Sequence, residues 1–341
     1  MHDHDARPGV GLTELGFGAA DLGNLYQPTT DVESVAAVDA AWDHGIRYFD
    51  TAPHYGLGLS ERRLGMALRE RPRDEFVLST KVGRVLEDRG VMAPDDAGFI
   101  VESTLRRRWD FTRDGILRSI EGSLGRLGMD RVDIAYLHDP DDHWAAASST
   151  GIDTLLELRD QGVVRAIGVG ANQSAMPTRF VRDFDIDLVM IAGRLTLLEQ
   201  ESLDGLLPAA RERGTGIVAA GVYNSGILSS HTIADDAHYD YARAPGPVVE
   251  RARRIATLCA EHGVELPAAA LQYPLRHDVV RSVVVGARTA AHVAANAARL
   301  RQHVPSGLWA ALDEEGLLTG GLAHPTETRG SGLRRDHRSS R

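Results

Sequence analysis

Several features that define common protein classes are missing from this chain of 341 residues. Its single cysteine, Cys259, excludes an internal disulfide, fits a reducing compartment and shares a helical spacing with Ile255 and Leu258, so we expect it in the core. Acidic residues outnumber basic ones by 48 to 38, which argues against a dedicated nucleic-acid binder, because such proteins normally present a basic face. No apolar run approaches the roughly 18 residues of a membrane span, and the N-terminus has no signal-peptide core. We therefore expect a soluble, cytoplasmic protein with no membrane partner.

Three nucleotide- and metal-binding motifs are also missing. A doubly wound nucleotide-binding fold usually carries G-x-G-x-x-G in an early strand-to-helix turn, and the segment from Gly16 to Gly23 has the wrong spacing. Neither the P-loop nor the zinc motif H-E-x-x-H occurs. His2 and His4 alternate with acids at the N-terminus, but a tail without further ligands rarely holds a metal. We therefore expect no metal site.

What the chain does contain is a regular alternation of strand-like and helix-like segments. Apolar residues at helical spacing predict a helix over 32–44, and similar helices precede or follow most of the strands. Strands alternating with helices predict a parallel sheet, and eight of them predict closure into a (β/α)8 TIM barrel. Hydrophobic residues make up 43% of the chain, enough for the large core that this fold needs. The candidate strands are 15–20, 45–50, 76–81, 132–137, 163–169, 186–191, 216–220 and 282–285.

The predicted organisation is a single domain with two irregular ends. Residues 1–10 are mostly polar and predict a flexible N-terminus, residues 11–324 form the barrel, and the Ser-, Arg- and Gly-rich residues 325–341 predict a disordered tail. Residues 83–112 show little periodicity and are interpreted as a functional loop. Within that loop, Trp109 and Phe111 either line a substrate pocket or anchor a surface loop, and the arginines at 106–108 are interpreted as a solvated face.

Four polar side chains follow three of the predicted strands. Asp50, Lys81 and His138 stand at strand ends, and Tyr55 lies in the loop after the Asp50 strand. A barrel places ligands at this edge. The Lys81 ammonium would lower the pKa of the Tyr55 phenol, which is ordinarily about 10, and His138 could orient a substrate oxygen. These groups suit proton transfer coupled to hydride transfer. Taken singly, Asp50 and Lys81 could equally form a structural ion pair, and His138 could be an ordinary core residue.

The stretch 49–56, FDTAPHYG, resembles the signature F-D-T-A-x-x-Y-G of the aldo-keto reductase family. Segments 78–81 (LSTK), 131–138 (RVDIAYLH) and 167–170 (IGVG) extend the resemblance in the same order. The resemblance implies a (β/α)8 barrel that transfers hydride between a small molecule and a nicotinamide cofactor. It implies that Asp50, Tyr55, Lys81 and His138 form the catalytic tetrad. The expected substrate contacts are Tyr55, His138, His54 and Trp109.

The same resemblance implies a set of cofactor contacts along the carboxyl edge of the barrel. The family usually carries Ser-Asn where this chain has Gly170-Ala171-Asn172, so Asn172 is expected to hold the cofactor carboxamide. Residues 221–226 correspond to the segment over the pyrophosphate, and residues after strand 282–285 to the adenosine-phosphate site. The expected cofactor contacts are Gly18, Ala19, Asp50, Asn172, Gly221, Val222, Tyr223, Asn224, Gly226, Gly286, Arg288, His292 and Asn296.

Segments 15–26 and 192–200 are most similar to a branch of sugar and vitamin dehydrogenases within the family. We therefore expect oxidation of an aldose, such as L-fucose or a D-threo-aldose, at its anomeric hydroxyl to the lactone. Alternatives are oxidation of pyridoxal to 4-pyridoxolactone and general aldehyde or ketone reduction. An alternative of another class is a nicotinamide-binding regulatory subunit, similar to the potassium-channel β-subunits.

NAD is the expected cofactor, with NADP possible. NADP-using relatives commonly carry a cation after the proline of the late strand and an arginine six residues later, and these positions are Gly286 and His292 here. A neutral histidine compensates poorly for the lost hydration of a 2′-phosphate. Arg288 is the one residue that could reverse this preference. The expected partner is a small molecule, sugar or pyridoxal, and the expected assembly is a monomer or dimer.

Overall fold

Eight parallel strands close into a barrel in the computed structural model, which describes residues 10–240 and 242–318. The strands, in chain order, are β1 Leu15–Gly18, β2 Tyr48–Asp50, β3 Val77–Val82, β4 Arg84–Pro94, β5 Glu102–Trp109, β6 Ile134–His138, β7 Ala166–Ala171, β8 Leu188–Ala192, β9 Gly216–Ala220, β10 His238–Tyr239, β11 Ala242–Arg243 and β12 Val280–Gly286. Around the barrel the order is β1, β2, β3, β6, β7, β8, β9 and β12, and β12 pairs back with β1. The predicted (β/α)8 barrel is confirmed.

The barrel strands are buried on both faces. Every residue of β3 and β6 is buried, because helices cover the outer face and side chains fill the inside. This explains why these segments read as almost continuous apolar runs. An inner cluster includes Tyr48, Tyr136 and Met190, and Val10 and Leu12 pack against it. Val10 is the one residue of the predicted flexible N-terminus that the structure describes.

The helices form the outer layer and begin at residues that satisfy their free backbone groups. The Thr30 hydroxyl accepts from the Glu33 amide and the Glu33 carboxylate accepts from the Thr30 amide, so a capping box opens the first helix. At the third helix, the Thr112 hydroxyl accepts from the Gly115 amide and caps the helix without a capping box. The helices are α1 Asp31–Asp43, α2 Leu59–Leu68, α3 Arg113–Leu127, α4 Trp144–Ala146, α5 Ile152–Asp160, α6 Ala175–Asp183, α7 Leu206–Arg213, α8 Gly246–Glu261, α9 Leu266–Gln272, α10 Ala290–Arg301 and α11 Ser306–Glu314.

The interpretation of residues 83–112 as an irregular loop is wrong for most of that segment. β4 and β5 form an antiparallel hairpin in which Arg84 lies opposite Trp109 and Pro94 opposite Glu102. The connection between β4 and β5 pairs with the loop after β1 through an isolated antiparallel β-bridge between Leu25 and Phe99. Most of its residues are at least partly exposed, so the apolar alternation that identifies a strand is weak.

Other parts of the chain also differ from the sequence-based expectation or lie outside the described residues. The sequence did not predict α11, which follows α10 and buries Leu308, Trp309 and Leu312. The arginines at 106–108 are not simply solvated, since they pair with Glu87, Asp95 and Asp110. The predicted disordered tail at 325–341, and His2 and His4 near the start, lie outside the described residues.

Candidate active site

A cavity of about 410 Å³ opens at the carboxyl ends of the barrel strands. Its size is that of a small-molecule site, and its position is the one that (β/α)8 barrels use for catalysis. The loop after β2 adds His54 and Tyr55, and the β4–β5 hairpin adds Ala97 and Phe99. Each barrel strand contributes to the lining: Gly18, Asp50, Lys81, His138, Gly170, Met190, Ala220 and Gly286 in the order β1, β2, β3, β6, β7, β8, β9 and β12.

Lys81 connects two of the other predicted catalytic residues. Its Nζ donates to Asp50 Oδ2 at 2.6 Å, to the Tyr55 hydroxyl at 2.9 Å and to the Thr51 carbonyl at 3.1 Å. These are all the donors that an ammonium has. Burial lowers the pKa of Lys81, but the charge of Asp50 and the hydrogen bonds to Asp50 and Tyr55 together raise that pKa above its usual range. Lys81 is therefore a fixed positive charge beside the Tyr55 oxygen.

The pKa of Tyr55 differs from the expected direction. Burial raises the pKa of this phenol above its ordinary value of 10.0, and Lys81 offsets part of the increase through its charge and its hydrogen bond. The expectation of a net lowering is wrong, because removing the phenolate from water costs more than one ammonium recovers. Tyr55 in this state is a protonated phenol that can donate to a substrate oxygen.

His138 faces Tyr55 from the end of β6. The two rings are nearly perpendicular, with centroids 6.0 Å apart. Burial lowers the pKa of His138 well below its ordinary range, and the positive charges of Arg84 and Lys81 add to the effect, so the imidazole is neutral. Its buried Nδ1 has no hydrogen-bond partner in the described part of the chain. The Nε2 atom lies 3.6 Å from Asp139 Oδ2. A neutral imidazole of this kind offers one donor or acceptor to a substrate oxygen.

A chain of buried hydroxyls supports Asp50 from inside the barrel. Ser79 Oγ donates to Asp50 Oδ1 at 2.6 Å and lies 3.2 Å from the Tyr48 hydroxyl, which is 3.2 Å from the hydroxyl of Tyr136. The four side chains are almost fully buried. Both Asp50 oxygens are thus hydrogen-bonded, which fixes the carboxylate that holds Lys81. The sequence contains no signal for this chain, because the tyrosines read as ordinary strand residues.

The predicted cofactor contacts fall into two groups. Gly18, Asn172, Gly221, Gly286 and Asp50 line the cavity. The remaining predicted contacts lie in adjoining segments and in α10, outside the cavity lining as the structure describes it: Ala19, Val222, Tyr223, Asn224, Gly226, Arg288, His292 and Asn296.

The glycines of the first group expose bare backbone to the cavity. A Cβ atom on Gly18 would lie 3.1 Å from Val284 Cγ1, and one on Gly286 would lie 3.1 Å from Asp21 Oδ2. Gly221 has φ +62°, in the left-handed region that glycine tolerates best. A flat ring or a diphosphate can approach such backbone closely. The residues present therefore fit a nicotinamide dinucleotide.

Arg288 is held firmly by the loop after β1. Its guanidinium donates to the carbonyls of Gln27 and Leu25, to Thr29 Oγ1 and to Asp21 Oδ1, at distances between 2.7 and 2.9 Å. These bonds join the start of α10 to the start of α1. The Arg288 guanidinium is therefore already hydrogen-bonded and is not a free cation at the edge of the cavity.

Of the two further predicted substrate contacts, His54 lies at the cavity and Trp109 does not. His54 is part of the lining, and burial lowers its pKa to about 2, aided by Arg84 and Arg107. Trp109 is outside the described lining, and its ring lies 5.9 Å from that of Phe111. The Arg84 guanidinium covers the Trp109 ring at 4.3 Å and is within 3.3 Å of both His54 ring nitrogens. Contact of Trp109 with a substrate remains a prediction.

Three cavity neighbours had no role in the sequence interpretation. Phe99 lines the cavity from the hairpin, Asp139 lines it directly after His138, and Arg84 pairs with Asp139 behind the lining. Phe99 and Arg84 were missed because the hairpin was interpreted as a loop. For Asp139, the one signal in the sequence was a carboxylate directly after the strand-end residue His138. An ordinary loop residue explained that carboxylate equally well.

The sequence profile of the Aldo/keto reductase family matches residues 14–314. The chain belongs to this family. It is therefore an oxidoreductase of the group that uses NAD(P)H, and the resemblance in its motifs is confirmed. The match extends past α10 to the end of α11, so the helix that the sequence did not predict is part of the family fold.

Two curated relatives cover nearly the whole chain. The D-threo-aldose 1-dehydrogenase of a Pseudomonas species is 49% identical over 318 residues, which is 92% of this chain and 97% of the relative. The pyridoxal 4-dehydrogenase of Microbacterium luteolum is 38% identical and covers 92% of this chain and 96% of its own. The chain is thus similar to the branch of sugar and vitamin dehydrogenases, as its motifs indicated.

Solved structures agree with this assignment. An aldo-keto reductase from Bacillus halodurans in its holo form superposes with a TM-score of 0.72 at 26% identity, covering 93% of this chain and 97% of that one. A glycerol dehydrogenase from Gluconobacter oxydans superposes with a TM-score of 0.74 at 23% identity, covering 90% and 93% of the two chains. At that lower identity the second likeness supports the fold alone.

The described residues contain neither a helix that could span a membrane nor a cluster of metal-binding side chains. In 10–240 and 242–318, no helix combines the length and apolar composition needed to cross a membrane. Across the same residues, no three His, Cys, Asp or Glu side chains gather as a metal ion requires.

Burial raises the pKa of the Cys259 thiol to about 12, so this residue packs in the core as a neutral group.

Proposed function

We propose that this protein is an aldose 1-dehydrogenase that oxidises the anomeric hydroxyl of a cyclic sugar, such as L-fucose or a D-threo-aldose, to the lactone. The observation that carries the proposal is the Lys81 ammonium, which holds the Tyr55 hydroxyl at 2.9 Å and Asp50 at 2.6 Å beside the cavity. The 49% identity to a D-threo-aldose 1-dehydrogenase supports the substrate class. Polar groups around the cavity suit a substrate with several hydroxyls.

The four residues divide the chemistry as follows. Oxidation takes a proton from the C1 hydroxyl and a hydride from C1, and leaves the carbonyl of the lactone. The ionised Tyr55 oxygen accepts the proton, and Lys81 stabilises that phenolate by charge and hydrogen bond. His138 Nε2 orients the reacting oxygen next to Tyr55. Asp50 keeps Lys81 in place and neutralises part of its charge.

The cofactor would lie along the glycine-lined edge. A nicotinamide bound there supplies the acceptor for the hydride. Asn172 would hold its carboxamide, and the bare backbone of Gly18, Gly221 and Gly286 would accommodate the rest. Lys81, Tyr55 and His138 need no metal for their part of the reaction.

NAD is the cofactor that the charges favour. The family resemblance assigns the adenosine end to the residues around Gly286 and His292, and this region holds the Asp21 carboxylate. A carboxylate repels a 2′-phosphate and accepts a hydrogen bond from a free ribose hydroxyl. Arg288 already donates to Asp21 and three further acceptors in the loop after β1. Moving it to a 2′-phosphate would break those bonds.

Pyridoxal oxidation is the second candidate. It is supported by the 38% identity to a pyridoxal 4-dehydrogenase, and it also converts a cyclic hemiacetal to a lactone. The proton chemistry at Tyr55 would be the same for both substrates. General aldehyde or ketone reduction is the reverse direction of that chemistry.

An initial-rate screen tests these candidates together. Purified protein is assayed with L-fucose, D-threo-aldoses, sugars epimeric at C2 or C3, and pyridoxal, each with NAD and with NADP. We expect turnover of about one per second or faster with an aldose and NAD. Faster oxidation of pyridoxal would support the second candidate instead. Tight cofactor binding without turnover of any substrate would support a nicotinamide-binding regulatory subunit.

We also propose that the protein acts in the cytoplasm on small molecules, as a monomer or dimer, without nucleic-acid or membrane partners. The excess of acidic residues and the presence of only one cysteine, which is buried, support this setting. Sedimentation velocity of the purified protein tests the assembly, and a discrete species larger than a dimer would contradict it.

A further inference from the structure

Asp139 occupies an unusual position at the cavity. It follows His138 directly and has φ +40°, a left-handed conformation that few residues other than glycine adopt. Its backbone amide donates to the Gly170 carbonyl at 2.8 Å, which fixes this conformation. The side chain is 21% exposed and lines the cavity. Non-glycine residues in such conformations are concentrated at functional sites.

The Asp139 carboxylate is partly satisfied by neighbouring residues. Arg84 donates to Oδ2, and Asn172 Nδ2 donates to Oδ1 at 3.1 Å. A carboxylate can accept about four hydrogen bonds, so both oxygens keep acceptor capacity toward the cavity. Burial raises the pKa of Asp139, and the positive charge of Arg84 opposes that increase. Arg84 is outside the described cavity lining, and its ion pair restrains the Asp139 carboxylate.

Asp139 also lies beside the atom that meets the reacting oxygen. Its Oδ2 is 3.6 Å from His138 Nε2. That separation is too long for a direct hydrogen bond, so both atoms keep hydrogen-bonding capacity, and two adjacent substrate hydroxyls could contact one side chain each. In a cyclic aldose, the hydroxyl on C2 is adjacent to the C1 hydroxyl that His138 orients.

We propose that Asp139 is a specificity-determining residue that accepts a hydrogen bond from the hydroxyl on the carbon next to the reacting carbon, the C2 hydroxyl of an aldose. The proposal rests on the proposed aldose oxidation and adds a reason for substrate choice. A hydroxyl donates to a carboxylate, whereas an anionic oxygen at the same place is repelled by it. The Asp139 site therefore favours substrates that present a neutral hydroxyl on the carbon next to the reacting carbon.

A cycle of substrate and protein variants tests this contact. kcat/KM is measured for an oxidised aldose and for its 2-deoxy counterpart, with the wild type and with Asp139→Asn. Asparagine has nearly the same size and tolerates a left-handed backbone, so the fold should survive. We expect loss of the C2 hydroxyl to lower wild-type kcat/KM by about tenfold to a hundredfold, the range for a hydrogen bond to a charged group. In Asp139→Asn we expect the same loss to cost only a few-fold.

Two further variants separate the possible explanations. Asp141→Asn removes an equal charge from an exposed position in the same loop, outside the described cavity lining, and should keep the wild-type penalty. Should Asp139→Asn fail to fold, Asp139→Gly removes the side chain and suits the positive φ. An equal penalty in the wild type and in the folded Asp139 variant would overturn the proposal while aldose oxidation stood. Failure of the wild type to oxidise any aldose would instead reject the proposed function, and this proposal with it.

Discussion

At the scale of single residues, the proposed reaction depends on one phenol hydroxyl that lines the cavity. Tyr55 receives a hydrogen bond from Lys81, and its ring also lies under the Lys81 ammonium at 4.6 Å from the centroid. The ring of Phe99 lies 6.0 Å away on another side. Packing therefore fixes the Tyr55 ring. A substitution that keeps the ring and removes only the hydroxyl can therefore test the role of the hydroxyl by itself.

Tyr55→Phe removes the proton-transfer hydroxyl and retains the ring. We expect kcat to fall by about a hundredfold or more, because a positioned general acid or base typically contributes that much. Cofactor affinity, measured by fluorescence titration, should stay close to the wild-type value. Near-normal turnover in the variant would remove Tyr55 from the mechanism.

The pH dependence follows from the direction of the Tyr55 shift. Alcohol oxidation uses the deprotonated phenol, and burial raises the pKa of Tyr55 above 10.0. The oxidation rate should therefore rise with pH and reach no plateau below about pH 10. Lys81→Met removes the nearby charge that lowers this pKa, so the rise should move to still higher pH. A pH–rate profile of kcat/KM measures this, and an unchanged profile in Lys81→Met would contradict the role of Lys81.

Lys81→Met also leaves Asp50 buried without its cation. We expect a loss of about 3–5 kcal/mol in the free energy of unfolding, as for other buried pairs from which one partner is removed. Denaturant unfolding of both proteins measures this loss. The pH profile should accordingly be recorded at a temperature where the variant is fully folded.

The hydrogen bonds of Arg288 lead to a prediction about which cofactor the protein prefers. Because its guanidinium is bound by the loop after β1, we expect higher kcat/KM with NAD than with NADP. Arg288→Ala should raise KM for both cofactors by similar factors, since it loosens a loop shared by both. Steady-state kinetics with the two cofactors measure the ratio. A variant that loses activity with NADP alone would show that Arg288 binds the 2′-phosphate.

At the scale of elements, the turn after β1 and the loop after β2 make a close backbone contact next to Tyr55. A Cβ atom on Gly23, at the end of the turn after β1, would lie 2.7 Å from the Tyr55 carbonyl carbon. A Cβ on Gly56 would lie 2.3 Å from the Gly23 carbonyl oxygen. The loop after β2 can therefore carry Tyr55 into the cavity only because the two backbones touch here without side chains.

Gly23→Ala tests this contact between loops. The methyl group must push the Tyr55 backbone away, and a displacement of about 1 Å at a catalytic group can cost roughly a hundredfold in rate. We expect kcat to fall much more than the melting temperature. Gly125→Ala is the matched control, since nothing lies within 4 Å of its added Cβ and alanine favours helix α3. Equal rates for the two variants would contradict the role given to the contact.

The hairpin β4–β5 marks the limit of sequence interpretation at this scale. Barrel strands were recognisable because burial on both faces makes them apolar. The hairpin has only part of one face buried, and its arginines pair with acids such as Glu87 and Asp95 that lie far from them in sequence. Those pairs depend on the folded register, so the positions of Arg84 and Phe99 at the cavity could not be predicted from the sequence.

At the scale of the whole molecule, barrel closure brings together residues that are far apart in the chain. Gly18 and Gly286 come from the first and last barrel strands and lie side by side. The sequence predicted Asp50, Tyr55, Lys81 and His138 as one site because parallel strands end at a common edge. The sequence could not predict that Ser79, Asp139 and Arg84 lie around these four residues, because their positions depend on three-dimensional contacts.

Isotope labelling shows directly whether hydride leaves the anomeric carbon of a sugar at this site. The wild-type protein is incubated with NAD and an aldose deuterated at C1, and both products are examined by NMR. We predict one deuterium on the reduced nicotinamide ring and a lactone that carries none at C1. Deuterium that stays in the sugar product or is released to solvent would contradict direct hydride transfer from C1, and with it the proposed aldose dehydrogenase.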